Sequence, residues 1–345
     1  MKVILRVYKW IIFSLIFQIL FLIFLNNYYL VKGVSIKATS FEVQEEPKED
    51  KGFKVPPGAE DIKVSFDGSY IAYLLDGMIK IKDIKTEKDK DTLRPDSGRI
   101  DYYKWLPDRD IIIYSIKLEE KGRNKMQIST KDLESDLDHK YPVISGLSND
   151  SEVLNIEVSP LTNVVYAKIK SSSSQAKVYK FDINNDSYYI MNISLDADIK
   201  EINYKDAFLY EDSTKNRVRV WDGIKHSSRE VRLKEKNILL GIDAEDKVYV
   251  GNIVDSDKIS KILYGKLDEQ DDEAWAQIDL NEPVDSKNII VSSKGQVLVL
   301  DDNEKTITNV QNNEKIEYEG DFIEMLDDYI VYLDNDKVKL DVIDE

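Results

Sequence analysis

His139 and His226 are the only two histidines in the 345 residues. Neither falls in the H-x-x-x-H or related spacing that puts two imidazoles on one zinc ion, so a catalytic zinc site or a Ser-His relay has little basis. Both read as loop residues. The chain has no G-x-S-x-G elbow, no G-x-x-x-x-G-K-[ST] phosphate loop and no C-x-x-C pair. Paired carboxylates are the one catalytic arrangement the composition could supply, as in a glycosidase. With 65 acidic residues, however, some must face one another whatever the function. Asp268, Asp271, Asp272 and Glu273 in one loop, and Asp334 with Asp336 in another, could hold calcium. Without the D-x-[DN]-x-[DN]-G-x₅-E pattern they read as solvated acidic turns. The sequence therefore assigns no catalytic, cofactor-binding or metal-ligating residue.

The elements that would position any such group form a repeat. FDGSYIAY ends at Tyr73, PDRDIIIY at Tyr114, PLTNVVY at Tyr166, KDAFLY at Tyr210, EDKVY at Tyr249 and LDDYIVY at Tyr332. KGQVLV, ending at Val299, takes the remaining place with its tyrosine replaced. Intervals of 41, 52, 44, 39, 50 and 33 residues suit four short antiparallel strands with their turns. In the first unit DIKVSF and SYIAYLL flank the turn Asp67-Gly68, MIKIKDI follows Asp76-Gly77, and a weak outer strand lies near Thr92. The second unit gives IDYYKW, DIIIYSI, KMQISTKDL and YPVI; the third gives VLNIEVS, NVVYAKI, AKVYKFDI and SYYIMNI. Asp83, Asp132, Asp182, Asp222 and Asp341 recur at the end of the third strand, where a carboxylate can bond turn amides. Ser171 to Ser174 read as a polar hairpin loop, and Trp105, Trp221 and Trp275 as packing between sheets. The fold class expected is all-β, a seven-bladed β-propeller of four-stranded antiparallel blades.

The run Val64 to Tyr73 with Ile79 to Ile84 resembles the repeat of TolB-type propellers, also seen in dipeptidyl-peptidase propeller domains. Trp105-Leu106-Pro107-Asp108 and Val158-Ser159-Pro160 are weaker copies of its S-P-D-G turn. The resemblance covers about residues 58–345 and implies a propeller with tyrosines packed between blades. It departs from WD repeats, since Trp221-Asp222 is the only such dipeptide, and from an Asp-box, whose spacing Ser65 to Gly68 lack. Dipeptidyl-peptidase activity would require a hydrolase domain, for which residues up to Glu345 supply no elbow.

The last unit offers only DFIEML, YIVYLD and KVKLDVI. An open ring leaves unpaired strand edges, so a segment between Ser40 and Val55 is expected to complete the last blade.

Before the repeats, Trp10 to Val31 form 22 residues without a charged side chain. As a helix this run reaches roughly 33 Å, enough to cross a membrane once. Trp10, Tyr28 and Tyr29 stand where interfacial aromatics belong, and Gln18 could aid helix pairing. The organisation expected is a cytoplasmic segment at 1–9, a transmembrane helix at 10–31, a stalk and ring-closing strand at 32–57, and the propeller at 58–345. Lys2, Arg6 and Lys9 against Lys32 and Lys37 favour a cytoplasmic N-terminus. A cleaved signal, with Gly33 or Ser35 at the cleavage site, is the alternative; a lipoprotein anchor is excluded by the absence of cysteine.

After residue 32 the chain carries 44 basic and 65 acidic residues, a balance that repels nucleic acid. An exported domain without disulfides, rich in Lys, Ile, Asn and Asp, fits a Gram-positive cell envelope. The sequons at Asn149, Asn185 and Asn192 are then chance matches. The expected partners are the membrane, through Trp10 to Val31, and a protein or envelope polymer held without catalysis. An envelope hydrolase or lyase using channel carboxylates is the alternative, as is a regulatory or sensor subunit of a membrane complex.

Overall fold

A computed structural model describes residues 52–343 except 121–122, 160, 183, 256 and 269–274, together with eight residues nearer the N-terminus. Those eight, Trp10, Ser14, Leu15, Phe17, Gln18, Phe21, Leu22 and Phe24, are helical and exposed. Among the described residues no helix is long and apolar enough to cross a membrane. The remainder of the expected span, and residues 32–51 of the expected stalk, lie outside the described residues. The chain divides into two units, residues 1–50 and 51–345.

The second unit is a ring of seven antiparallel sheets, six of which follow chain order from their inner to their outer strand. The first blade comprises Glu60–Val64, Tyr70–Leu75, Met78–Asp83 and Asp89–Leu93. The third is Val153–Val158, Val165–Lys170, Gln175–Phe181 and Ser187–Ser194. The fourth is Ile199–Glu201, Ala207–Asp212, Arg217–Asp222 and Ser227–Glu230. In the second blade the expected outer strand at Tyr141 to Ile144 is instead two short strands, Leu137–Lys140 and Ile144–Leu147, both paired with Arg123–Asp132. Pro142 lies in the gap between them, where it has no N–H to donate to a ladder.

The seventh blade supplies Asp321–Met325, Tyr329–Asp334 and Lys337–Val342. Its fourth strand is Phe53–Lys54, with Phe53 opposite Val338 and Lys54 opposite Lys337. The Val55 amide then donates to the Asp336 carbonyl at 3.0 Å. Phe53 and Val55 are buried against Val64, Ile71, Val331 and Val338, so apolar burial joins the two chain ends more than the two-residue ladder does.

Among the described residues the core consists of seven apolar clusters, and each lies between two neighbouring blades. The second strand of each blade is therefore buried on both faces. In the third blade Val165, Ala167 and Ile169 pack toward the second blade, while Val164 and Tyr166 pack toward the fourth. The repeat tyrosines pack between blades as expected, but not all in the same direction. Tyr73, Tyr114, Tyr210 and Tyr332 face the preceding blade, whereas Tyr166 and Tyr249 face the following one. A strand apolar on both sides accepts the ring on either, and one residue of offset reverses its direction.

Candidate functional site at the channel mouth

Antiparallel order brings the turn between the first and second strands of every blade to the same end of the ring. Phe66, Pro107, Leu161, Tyr204, Ala244, Ser293 and Asp327, one from each turn, border two overlapping cavities of about 470 and 780 Å³. These cavities are the mouth of the central channel. Leu161 is 60% exposed and Tyr204 61% exposed, on the adjoining turns of the third and fourth blades. The turns are tied to one another: Ser159 Oγ donates to the Asn203 carbonyl at 2.8 Å, and the Asn203 amide to Asp246 Oδ1 at 2.8 Å. The rim thus presents large apolar groups on a braced frame.

Below the rim the first strands place charge. Glu157, 3% exposed, receives Lys104 Nζ at 3.1 Å from the second blade and Lys200 Nζ at 3.5 Å from the fourth. Asn155 Nδ2 donates to Glu157 Oε1 at 3.0 Å, and Tyr102 donates to Asn155 Oδ1 at 3.3 Å. Burial works against the Glu157 charge, but Lys104 and Lys200 outweigh it and hold the carboxyl well below the usual carboxylate range. Glu201 behaves oppositely: burial, and then the neighbouring Glu157 charge, push its carboxyl far up, so it keeps its proton and donates to Glu157. Lys200 is raised by Glu157 in turn. The cluster consists of two ammonium groups, one carboxylate and one neutral acid.

This geometry limits the chemistry. Glycosidase carboxylates stand about 5 to 9.5 Å apart to admit a sugar and, in inverting enzymes, a water. Glu157 and Glu201 instead hydrogen-bond to each other. Glu324 of the seventh blade, a further acid lining the channel, accepts the Val64 amide of the first at 2.6 Å, and burial raises it to about 7. It stitches the closing seam.

The residues singled out in the sequence lie elsewhere. His139, expected in a loop, lies instead in the outer strand Leu137–Lys140 opposite Thr130, exposed and with its ring centroid 4.6 Å from that of Tyr141. His226 is in a turn of the fourth blade with φ of 48°. The strand-ending aspartates cap turns: Asp83 accepts Thr86 N at 2.7 Å, Asp132 accepts Glu134 N at 2.9 Å, Asp182 accepts Asn184 N at 2.9 Å and Asp222 accepts Lys225 N at 3.0 Å. Those turn amides pull Asp83 and Asp222 below the usual range, and Ser135 does so for Asp132. Asp341 differs, accepting the Tyr332 hydroxyl at 2.9 Å. Asp334 pairs with Lys339 at 2.8 Å, and Asp271, Asp272 and Glu273 lie outside the described residues. Trp105 and Trp275 are buried, as expected for side chains packed between sheets. The mouth residues Lys104, Glu157, Lys200, Glu201, Leu161 and Tyr204 were missed. Their only signal is that the first strands carry polar residues, such as Tyr102 with Lys104 and Asn155 with Glu157, on one face of an otherwise buried strand.

Fold and mouth together define a seven-bladed β-propeller with a funnel-shaped channel. No protein-family model matches the sequence, and no curated protein matches it. The structure is similar to the β-propeller domain of Myceliophteria thermophila Cps50 (Swd1), with a TM-score of 0.54 at 14% identity over 84% of this chain and 99% of that one. It is also similar to TolB from Acinetobacter baumannii, with a TM-score of 0.42 at 13% identity over 74% of this chain. Porphyromonas gingivalis dipeptidyl peptidase 4 gives 0.45 at 10% identity, again over 74%. The matches span 62% of the TolB chain and 44% of the dipeptidyl peptidase chain, less than two thirds of either. At these identities the likeness is one of fold.

Proposed function

We propose that the chain is a non-catalytic binding or scaffolding propeller of the bacterial cell envelope, tethered by a helix at 10–31 and holding a protein or envelope-polymer partner at its channel mouth. The observation that carries the reading is the pairing of exposed Leu161 and Tyr204 on adjoining turns above a charge cluster whose members satisfy one another. Exposed aromatic and aliphatic anchors on a rigid frame are what interfaces use, whereas the buried ions below them are already neutralised. The test is crosslinking of intact membranes carrying the wild-type chain or Leu161→Asp/Tyr204→Asp. A specific partner lost from the double variant, with its melting temperature unchanged, supports the mouth. Equal recovery from both chains removes it.

One observation favours the second reading, an envelope hydrolase: Glu157 and Glu201 line the same cavity, the first held charged by its lysines and the second pushed toward its neutral form by burial. Hydrolysis of wall glycans by the purified chain, abolished by Glu201→Gln, would reverse the order of the two readings.

A further inference from the structure

The outer strand of a blade has one side of its backbone unpaired, and charge, proline or shortness keeps another chain from adding to it. Most outer strands of this ring are guarded in that way. Asp89–Leu93 of the first blade carries Asp89, Lys90 and Asp91, and Ser227–Glu230 of the fourth carries Arg229 and Glu230. Ala276–Asp285 of the fifth has Asp279, Glu282 and Asp285 as well as Pro283. The second blade ends in Leu137–Lys140 and Ile144–Leu147, of four residues each. Lys315–Glu317 of the sixth has three residues, and Phe53–Lys54 of the seventh has two.

The third blade differs. Its outer strand, Ser187–Ser194, runs for eight residues, SYYIMNIS, without a charged side chain, in a chain that is 33% charged. Among the described residues no strand lies beyond it. Tyr188 and Tyr189 are 47% and 53% exposed, and Asn192 is exposed as well. Successive side chains of a strand point to opposite faces, so the two tyrosines flank the free edge. Tyr189 lies edge-on to Tyr179 with ring centroids 6.0 Å apart, and the Tyr188 hydroxyl donates to Asp186 at 3.2 Å. A bulge at Ile190, opposite Val178 and Tyr179, bends the strand but adds no charge to it.

We propose that this edge binds an extended segment of a partner protein, which adds a fifth strand to the third blade and carries Lys or Arg at its ends. Main-chain hydrogen bonds to the edge supply the affinity, and side chains that meet Tyr188 and Tyr189 on alternate faces supply the selectivity. The basic ends follow from Asp186 and Asp196, both exposed, which bracket the strand. The same two acids argue against a second copy as the occupant. Antiparallel self-pairing about the middle of the strand would set Asp186 of one copy near Asp196 of the other, between chains that each carry a net charge of −17. The edge lies on the outside of the ring, so the inference goes beyond the mouth reading and does not depend on it.

The experiment titrates the full chain, in neutral detergent at physiological ionic strength, into a fluorescent peptide, Lys-Val-Thr-Ile-Thr-Val-Thr-Lys, and follows its anisotropy. Saturable binding is expected. The same peptide N-methylated at alternate residues keeps its charge and loses the donors of one edge, and should bind at least tenfold more weakly. Tyr188→Lys/Asn192→Lys, which places charge on the edge, should raise Kd at least tenfold at an unchanged melting temperature. Gln277→Lys/Asn281→Lys adds the same charge to the outer strand of the fifth blade and should leave Kd within twofold. Should the edge variant fail to fold, the two peptides compared on the wild-type chain decide the matter. No saturable binding, equal binding of the methylated peptide, undiminished binding by the edge variant or an equal loss in the fifth-blade control would overturn the assignment. So would a wild-type dimer in sedimentation that the edge variant dissociates, since the occupant would then be a second copy.

Discussion

Lys104 of the second blade meets Glu157 of the third at 3.1 Å, inside a channel whose other walls are largely apolar. Lys200 of the fourth blade reaches the same carboxylate, so a single acid holds three blades in register. Removing it leaves two ammonium groups facing each other. Both lysine side chains keep about a third of their exposure, so the cost falls below that of a fully buried pair. Glu157→Gln is expected to destabilise the chain by about 2–3 kcal/mol. Glu201→Gln, which replaces a group that already holds its proton, should stay within about 1 kcal/mol. Urea melts at neutral pH compare the two, and equal losses would refute the unequal protonation.

Glu324 gives a pH dependence with a definite sign. Burial raises its carboxyl to about 7, above the ordinary 4.5, so the folded chain retains a proton that the unfolded chain releases between those values. Its contribution is fully present below about pH 4.5 and is lost as pH rises through about 7. Glu324→Gln keeps an acceptor for the Val64 amide and removes the titration. Melting temperature followed from pH 4.5 to 7.5 should fall more steeply for wild type than for the variant. Parallel curves would show that Glu324 does not titrate there.

Phe53→Ala tests the ring closure. A buried Phe truncated to Ala costs about 3–5 kcal/mol in a packed core, and here the loss falls on the only fourth strand the seventh blade has. Denaturant melts should show that loss, and deletion of residues 36–57 should lower stability further. A melting temperature unmoved by the deletion would mean the ring stands without this strand.

Gly98 and Gly320 precede the first strands of the second and seventh blades with φ of +79° and +75°. A Cβ would come within 2.1 Å of the Lys117 carbonyl oxygen at the first position and of the Leu333 carbonyl oxygen at the second. Each first strand thus enters by passing directly against the end of its neighbour. Gly320→Ala combines a left-handed φ with a backbone clash, and should cost about 2–4 kcal/mol. Gly77→Ala, with a similar φ and nothing within 4 Å, should cost about 1 kcal/mol. Similar losses in the two would leave the close approach without consequence.

The fold was legible because it rests on local signals repeated many times. Asp-Gly turns, period-two alternation and the buried tyrosines each recur, and DFIEML, YIVYLD and KVKLDVI openly lack a fourth partner. The tyrosine register was not legible: Tyr166 and Tyr249 look like Tyr73 in sequence, and only the neighbouring sheet decides which way each points. The mouth was hidden for another reason. Glu157 is one of 65 acids, and what distinguishes it is the approach of Lys104 and Lys200 from the blades on either side.

The pairing of Phe53 with Val338 also constrains how the molecule is made. During synthesis Phe53 leaves the ribosome ahead of the first blade and Val338 only after the first six, so the circle cannot be sealed until the seventh blade has been made. Until then the nascent arc has two raw ends, and a chain stalled or truncated before residue 337 would keep them, making it prey to proteases and to its own unfinished copies.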